Sequence, residues 1–132
     1  MSKKEVENWK IPLYKIYTDD EDIKLITKIV RRGSNWAIGP EIEEFEESLK
    51  NYVGSDYCLT LNSGTSALHA SFLAYGFGTG DEIIVPSFTF VSTVNATRFV
   101  NASPVFSDIE ENTFGLDSES ITSKITSNTK AV

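Results

Sequence analysis

The sequence predicts an α/β fold, a mostly parallel sheet flanked by helices, on two observations. From Tyr57 onward, short apolar runs of strand length alternate with segments of helical length, the signature of parallel strands joined by crossover helices. Ahead of them, two stretches carry helix start and stop residues in the right order. At 132 residues the chain has the length of one domain, with one core as the expectation.

Residues 1–18 read as an irregular polar arm with Trp9, Tyr14, Tyr17 and Pro12. "DDEDIKLITKIVRRG" then gives a helix: acids in the first turn, apolar Ile23, Ile26, Ile29 and Val30, basic Arg31 and Arg32 at the end, and Gly33 as the stop. "SNWAIGP" is a loop, and Pro40 opens a second helix with Ile42, Phe45, Leu49, Tyr52 and Val53 on one face and Gly54 as its stop. The five glutamates of that helix read as a solvated face rather than a metal site.

Beyond Tyr57, "YCLTL" predicts a strand, "TSALHASFLAYG" a helix and "EIIVP" a strand. "TFVSTVNATRFVN" predicts a helix, "PVFSDI" a strand, and "DSESITSKI" a short helix capped by Asp117. The closing "KAV" reads as the first half of another buried strand, so the chain is expected to be a fragment or truncated product of a longer protein.

Twelve basic against nineteen acidic residues leave a net charge of −7, which argues against nucleic acid as a partner while leaving room for a small anion. Cys58 is the single cysteine and reads as a small apolar strand residue, which with the reducing compartment it suggests points to the cytoplasm. The start has no apolar signal core, and no run approaches a membrane span.

One turn carries chemistry. In "LNSGTSALHA" a strand delivers the chain to Asn62, Gly64 permits a tight turn, and a helix begins near Thr65 or Ser66. The first amides of a helix lack internal acceptors and carry its positive dipole end, so Ser63, Gly64, Thr65 and Ser66 could hold a phosphate. On local grounds Ser63 or Thr65 could equally be a plain helix cap. His69, inside the helix, reads as a packed residue, and Asp108, closing "PVFSD", as a loop-capping one.

"WAIGPEIEEFEESLKNYVG", "LNSGTSALHASFLA", "GTGDEIIVPSFTFVSTVNA" and "ASPVFSDIEENTFGLDSESI" together resemble, in order and spacing, the N-terminal part of the DegT/DnrJ/EryC1/StrS family. These are pyridoxal-phosphate-dependent aminotransferases of nucleotide-linked keto sugars. The resemblance covers about residues 15–132. It implies the N-terminal part of an aspartate aminotransferase-like (fold type I) large domain, with residues 19–132 an incomplete portion of the cofactor-binding domain. It further implies a homodimer in amino-sugar or polysaccharide biosynthesis, with glutamate as amino donor.

Carried over by residue, the resemblance makes Ser63, Gly64, Thr65 and Ser66 the grip on the cofactor phosphate and Phe90 the ring stacked on its pyridine face. Trp36 and Gly39 match a loop on the sugar-nucleotide side, where a structural turn into Pro40 is the competing reading. No metal site is expected. The family's cofactor-bearing lysine and its pyridine-side carboxylate belong to segments with no counterpart in these 132 residues, so this chain alone is expected to be inactive. Two alternatives stand beside the aminotransferase: a pyridoxal-phosphate sugar dehydratase relative, and a non-catalytic phosphate-binding or oligomerising remnant.

Overall fold

A computed structural model describes residue 11 and residues 14–132. Trp9 and Pro12 of the expected arm lie outside the described residues. The chain divides into two units, Met1–Gly54 and Ser55–Val132.

The first unit holds two helices, α1 (Asp20–Arg32) and α2 (Pro40–Val53), with the predicted ends. Asp19 caps α1: its Oδ1 accepts from the amides of Glu21 (2.9 Å) and Asp22 (3.4 Å), and its own amide donates to Asp22 Oδ2 (2.9 Å). This is a capping box closed by aspartate. Gly33 and Gly54 end the two helices in the left-handed region, at φ 73° and 72°, where any Cβ is strained. Neither helix has a buried residue, so the expected apolar faces are formed but stay uncovered within this unit. Among the glutamates of α2, Glu41 pairs with Arg32 and Glu47 with Lys50, each carboxyl held below its ordinary range by that hydrogen bond first.

The second unit runs α3 (Gly64–Ala74), β1 (Glu82–Pro86), α4 (Ser92–Phe99), β2 (Ser103–Ser107), α5 (Ser118–Lys124) and β3 (Thr129–Ala131). All pairings are parallel and the order is β2-β1-β3. β1 aligns Glu82 with Ser103 through Pro86 with Ser107 on one side, and Glu82 and Ile83 with Thr129 and Ala131 on the other. Its Ile83, Ile84 and Val85 are all buried, as a central parallel strand covered on both faces requires. Ile83 and Val85 join Val100 and Ala102 in the core, with Phe72, Phe77, Val94 and Ala131 against them. Each large aliphatic side chain buried there contributes about 1.5–3 kcal/mol.

Three expected elements change. Residues 57–61 form no strand; Tyr57 and Leu59 are exposed, so no buried face reinforces backbone pairing there. Cys58 accordingly sits half-buried outside the sheet. The helix expected over residues 89–101 shortens to α4, because the Ser87 amide is still tied to the Ser107 carbonyl (2.8 Å) and Asn101 adopts φ 60°. β2 stops at Ser107, since the Asp108 amide donates to Ser120 Oγ (3.0 Å) and Ile109 bridges Leu116 in antiparallel fashion.

That bridge closes a turn over residues 110–115, organised by one carboxylate. Glu110 accepts from the Thr113 hydroxyl and from the amides of Asn112 (2.7 Å) and Thr113 (2.6 Å). These bonds, the Thr113 hydroxyl first, lower its pKa from 4.5 to about 2. A depressed carboxyl adds stability above its unfolded value and loses it as the pH falls through the folded one. The turn should therefore hold above about pH 4.5 and loosen between there and about 2. A carboxyl 13C titration of Glu110 should give a midpoint near 2, moved back toward 4.5 in Thr113→Val; an unchanged midpoint would disprove the assignment.

Candidate functional site

The elements around the Ser63 turn determine where it lies. Residues 75–81 join α3 to β1, and Phe72, in the last turns of α3, packs against the cluster that includes Ile83 and Val100. His69, midway along α3, lies against Phe99 at the end of α4 (ring centroids 5.4 Å). α3 packs against α4, which returns the chain from the end of β1 to the start of β2, and the eleven residues of α3 and five of β1 each span roughly 16 Å. The start of α3 therefore lies at the sheet end where β1 and β2 terminate, the end at which open α/β sheets bind ligands.

At that start Ser63 is the cap. Its Oγ accepts from the Ser66 amide (3.1 Å) and donates to Ser66 Oγ (3.0 Å), which donates to Asn62 Oδ1 (2.8 Å). Asn62, which the sequence marks only as the residue where the chain enters the turn, completes this set through its side chain. Gly64 and Thr65 occupy the first turn, where no helical carbonyl reaches their amides, and the Thr65 hydroxyl makes no hydrogen bond among the described residues.

Charge distinguishes this helix start from those of α1, α2 and α5. α1 places Asp20, Glu21 and Asp22 in its first turn, α2 Glu41 and Glu43, and α5 Glu119. α3 places no acid there, and neither does α4. The positive end of its dipole is left for an outside anion, with two amides and a hydroxyl beside it. In a chain of net charge −7 this local field is what favours a phosphate.

Phe90 lies between β1 and α4. Its carbonyl accepts from the Thr93 amide (3.2 Å), which fixes the backbone, while the residue is 75% exposed with its ring outside the core. By connectivity it follows the same end of β1. The donor set and a free aromatic face fit a phosphorylated, planar heterocycle. Asp108 follows β2 and joins α5 through its amide and its carbonyl, which accepts from the Asp117 amide (2.9 Å). Trp36 and Gly39 belong to the other unit, in the loop between α1 and α2. No cluster of metal-binding side chains occurs among the described residues, and no helix there is long and apolar enough to cross a membrane.

Residues 17–132 match the model of the DegT/DnrJ/EryC1/StrS aminotransferase family. The UDP-2-acetamido-2-deoxy-3-oxo-D-glucuronate aminotransferase of Pseudomonas aeruginosa is 39% identical over 107 residues, 81% of this chain and 30% of the relative. The UDP-4-amino-4-deoxy-L-arabinose–oxoglutarate aminotransferase of Shewanella sediminis is 36% identical over 128 residues, 96% of this chain and 32% of that one. Among solved structures, the GDP-4-keto-6-deoxy-D-mannose-3-dehydratase of E. coli with bound hydrated PLP superposes with a TM-score of 0.77 at 28% identity, covering 90% of this chain and 32% of its own. The chain spans about a third of the length of the relatives it matches.

Proposed function

The chain belongs to the DegT/DnrJ/EryC1/StrS aminotransferase family, and from that membership we propose that the whole protein is a pyridoxal-phosphate-dependent enzyme transferring an amino group from glutamate to a nucleotide-linked keto sugar. The observation that carries this reading is the acid-free start of α3, with its open amides and Thr65 hydroxyl, at the sheet end that also leads to Phe90. In this reading residues 19–132 are the N-terminal portion of the cofactor-binding domain of a cytoplasmic homodimer in amino-sugar or polysaccharide biosynthesis.

Each residue then has a stated task. Thr65 Oγ1 and the amides of Gly64 and Thr65 receive the phosphate, and Ser66, held by Asn62 and Ser63, borders it. Phe90 offers a flat apolar face that sets the tilt of the ring and keeps water from that side. When bound, pyridoxal phosphate supplies an electron-withdrawing ring that stabilises negative charge on a substrate carbon. Trp36 and Gly39 border the sugar nucleotide. No lysine of this chain lies in a motif for holding the cofactor, so its residues bind and orient while proton transfer falls to other residues of the whole protein.

A second reading, removal of a sugar hydroxyl, draws on the likeness to the E. coli dehydratase. One assay separates the two. The full-length protein with pyridoxal phosphate, glutamate and UDP- or GDP-linked keto sugars should release 2-oxoglutarate in step with an amino sugar. A deoxygenated sugar without amine transfer would replace the aminotransferase with the dehydratase. No product from any sugar, in a protein that still binds phosphate, would leave a non-catalytic binder.

A further inference from the structure

The loop over residues 33–39 is built around one side chain. Arg32 uses all three of its guanidinium nitrogens: Nε donates to the Ser34 carbonyl (3.0 Å), Nη2 to the Asn35 carbonyl (2.8 Å), and Nη1 to Glu41 Oε1 (2.7 Å) and Oε2 (3.0 Å). The two carbonyls belong to the residues immediately before Trp36, and Glu41 lies in the first turn of α2 immediately after the loop. The pair is three-quarters or more shielded, with 25% of the Arg32 and 18% of the Glu41 side chain exposed. The planar fork can satisfy three directions at once, which a lysine ammonium on its flexible stem cannot.

Gly39 is fitted to this arrangement. A Cβ there would stand 2.6 Å from Arg32 Nη2, 2.6 Å from Glu41 Oε2 and 2.9 Å from the Asn35 carbonyl. The side-chain ends could swing away only by leaving their partners, and the carbonyl belongs to backbone. Asn35 adds a left-handed turn at φ 52°. At the crest stands Trp36, 66% exposed and without a ring partner among the described residues. Single exposed apolar residues are ordinary; what sets Trp36 apart is that an arginine, a glutamate and a glycine together fix the backbone that carries it.

We propose that Arg32 is a positioning residue that, through Glu41 and the carbonyls of Ser34 and Asn35, holds the indole of Trp36 in one orientation as a flat face for the sugar nucleotide. The consequence for substrate rests on the placement of Trp36 proposed above; the clasp itself does not. Gly39, beside the sugar nucleotide, also leaves room for the clasp.

The test uses the full-length protein carrying 5-fluorotryptophan, with the Trp36 signal identified by its loss in Trp36→Phe. The unmodified loop should give one sharp 19F resonance. Arg32→Lys and Glu41→Gln should each split or broaden it, and the double variant should add nothing further, since both break one clasp. Glu43→Gln, in the same helical turn, should leave it unchanged, as should any loss of overall stability. With UDP and GDP as probes in equilibrium dialysis, Arg32→Lys should weaken the nucleotide that the unaltered protein binds by roughly tenfold. A sharp, unshifted Trp36 resonance in Arg32→Lys overturns the proposal. A split resonance with nucleotide affinity unchanged in both Arg32→Lys and Trp36→Phe sustains the clasp and removes Trp36 from the substrate site.

Discussion

Exchanging Thr65 for valine in the whole protein should weaken pyridoxal phosphate binding by roughly 10- to 100-fold, the equivalent of one lost hydrogen bond to a charged group, about 1.5–3 kcal/mol. The substitution is nearly isosteric and removes only the hydroxyl. It leaves α3 in place because Ser63, not Thr65, caps the helix through the Ser66 amide. That separation makes Thr65 a sharper probe than Ser63, whose loss would cost a cap worth about 1 kcal/mol as well as any ligand contact. Equilibrium dialysis against pyridoxal phosphate gives the affinity, and far-ultraviolet circular dichroism confirms the helix. Unchanged affinity would remove Thr65 from the phosphate grip and return the turn to an ordinary cap.

The larger effect on folding should come from Ile84→Ala, which we expect to cost the second unit about 2–5 kcal/mol. Ile84 is 1% exposed at the middle of the central strand, in register with Val105. Its removal leaves a void in a sheet whose buried apolar core, among the described residues, is only six side chains. Set against total stabilities of about 5–15 kcal/mol, such a loss leaves little margin. Urea unfolding should show a lower midpoint with an unchanged slope, and Ile84→Val should lose only about 0.5–1.5 kcal/mol. A cost for Ile84→Ala below that of the valine variant would mean that β1 is not the centre of the core.

What was legible in the sequence was what local chemistry dictates. Gly33, Pro40, Gly54 and Asp117 each act at a helix end through their own backbone or their next neighbours, so their meaning survives without tertiary context. "EIIVP" was legible for a related reason: three consecutive branched residues suit only a strand covered on both sides. Residues 57–61 misled because alternation identifies a face that could be buried but cannot supply the neighbour that buries it. The Ile109–Leu116 bridge and the Arg32 clasp were not legible, since each depends on residues seven or nine apart meeting across a turn with no strong turn motif of its own. At the site, the Ser63–Ser66 turn could be read from hydroxyls beside a glycine. The missing acids at the start of α3 acquired meaning only in comparison with α1, α2 and α5.

The sheet order also sets a timetable. β1 sits between β2, which follows it through one crossover, and β3, which begins some twenty residues after β2 ends. At a synthesis rate of about 5–20 residues per second, β1 would emerge, gain β2, and then wait roughly one to four seconds with its other edge unpaired. During that interval an apolar strand of three buried residues is open to pairing with any other chain nearby. The quality of this protein's folding in the cell thus depends on how promptly a three-residue strand, Thr129–Ala131, arrives to close that edge.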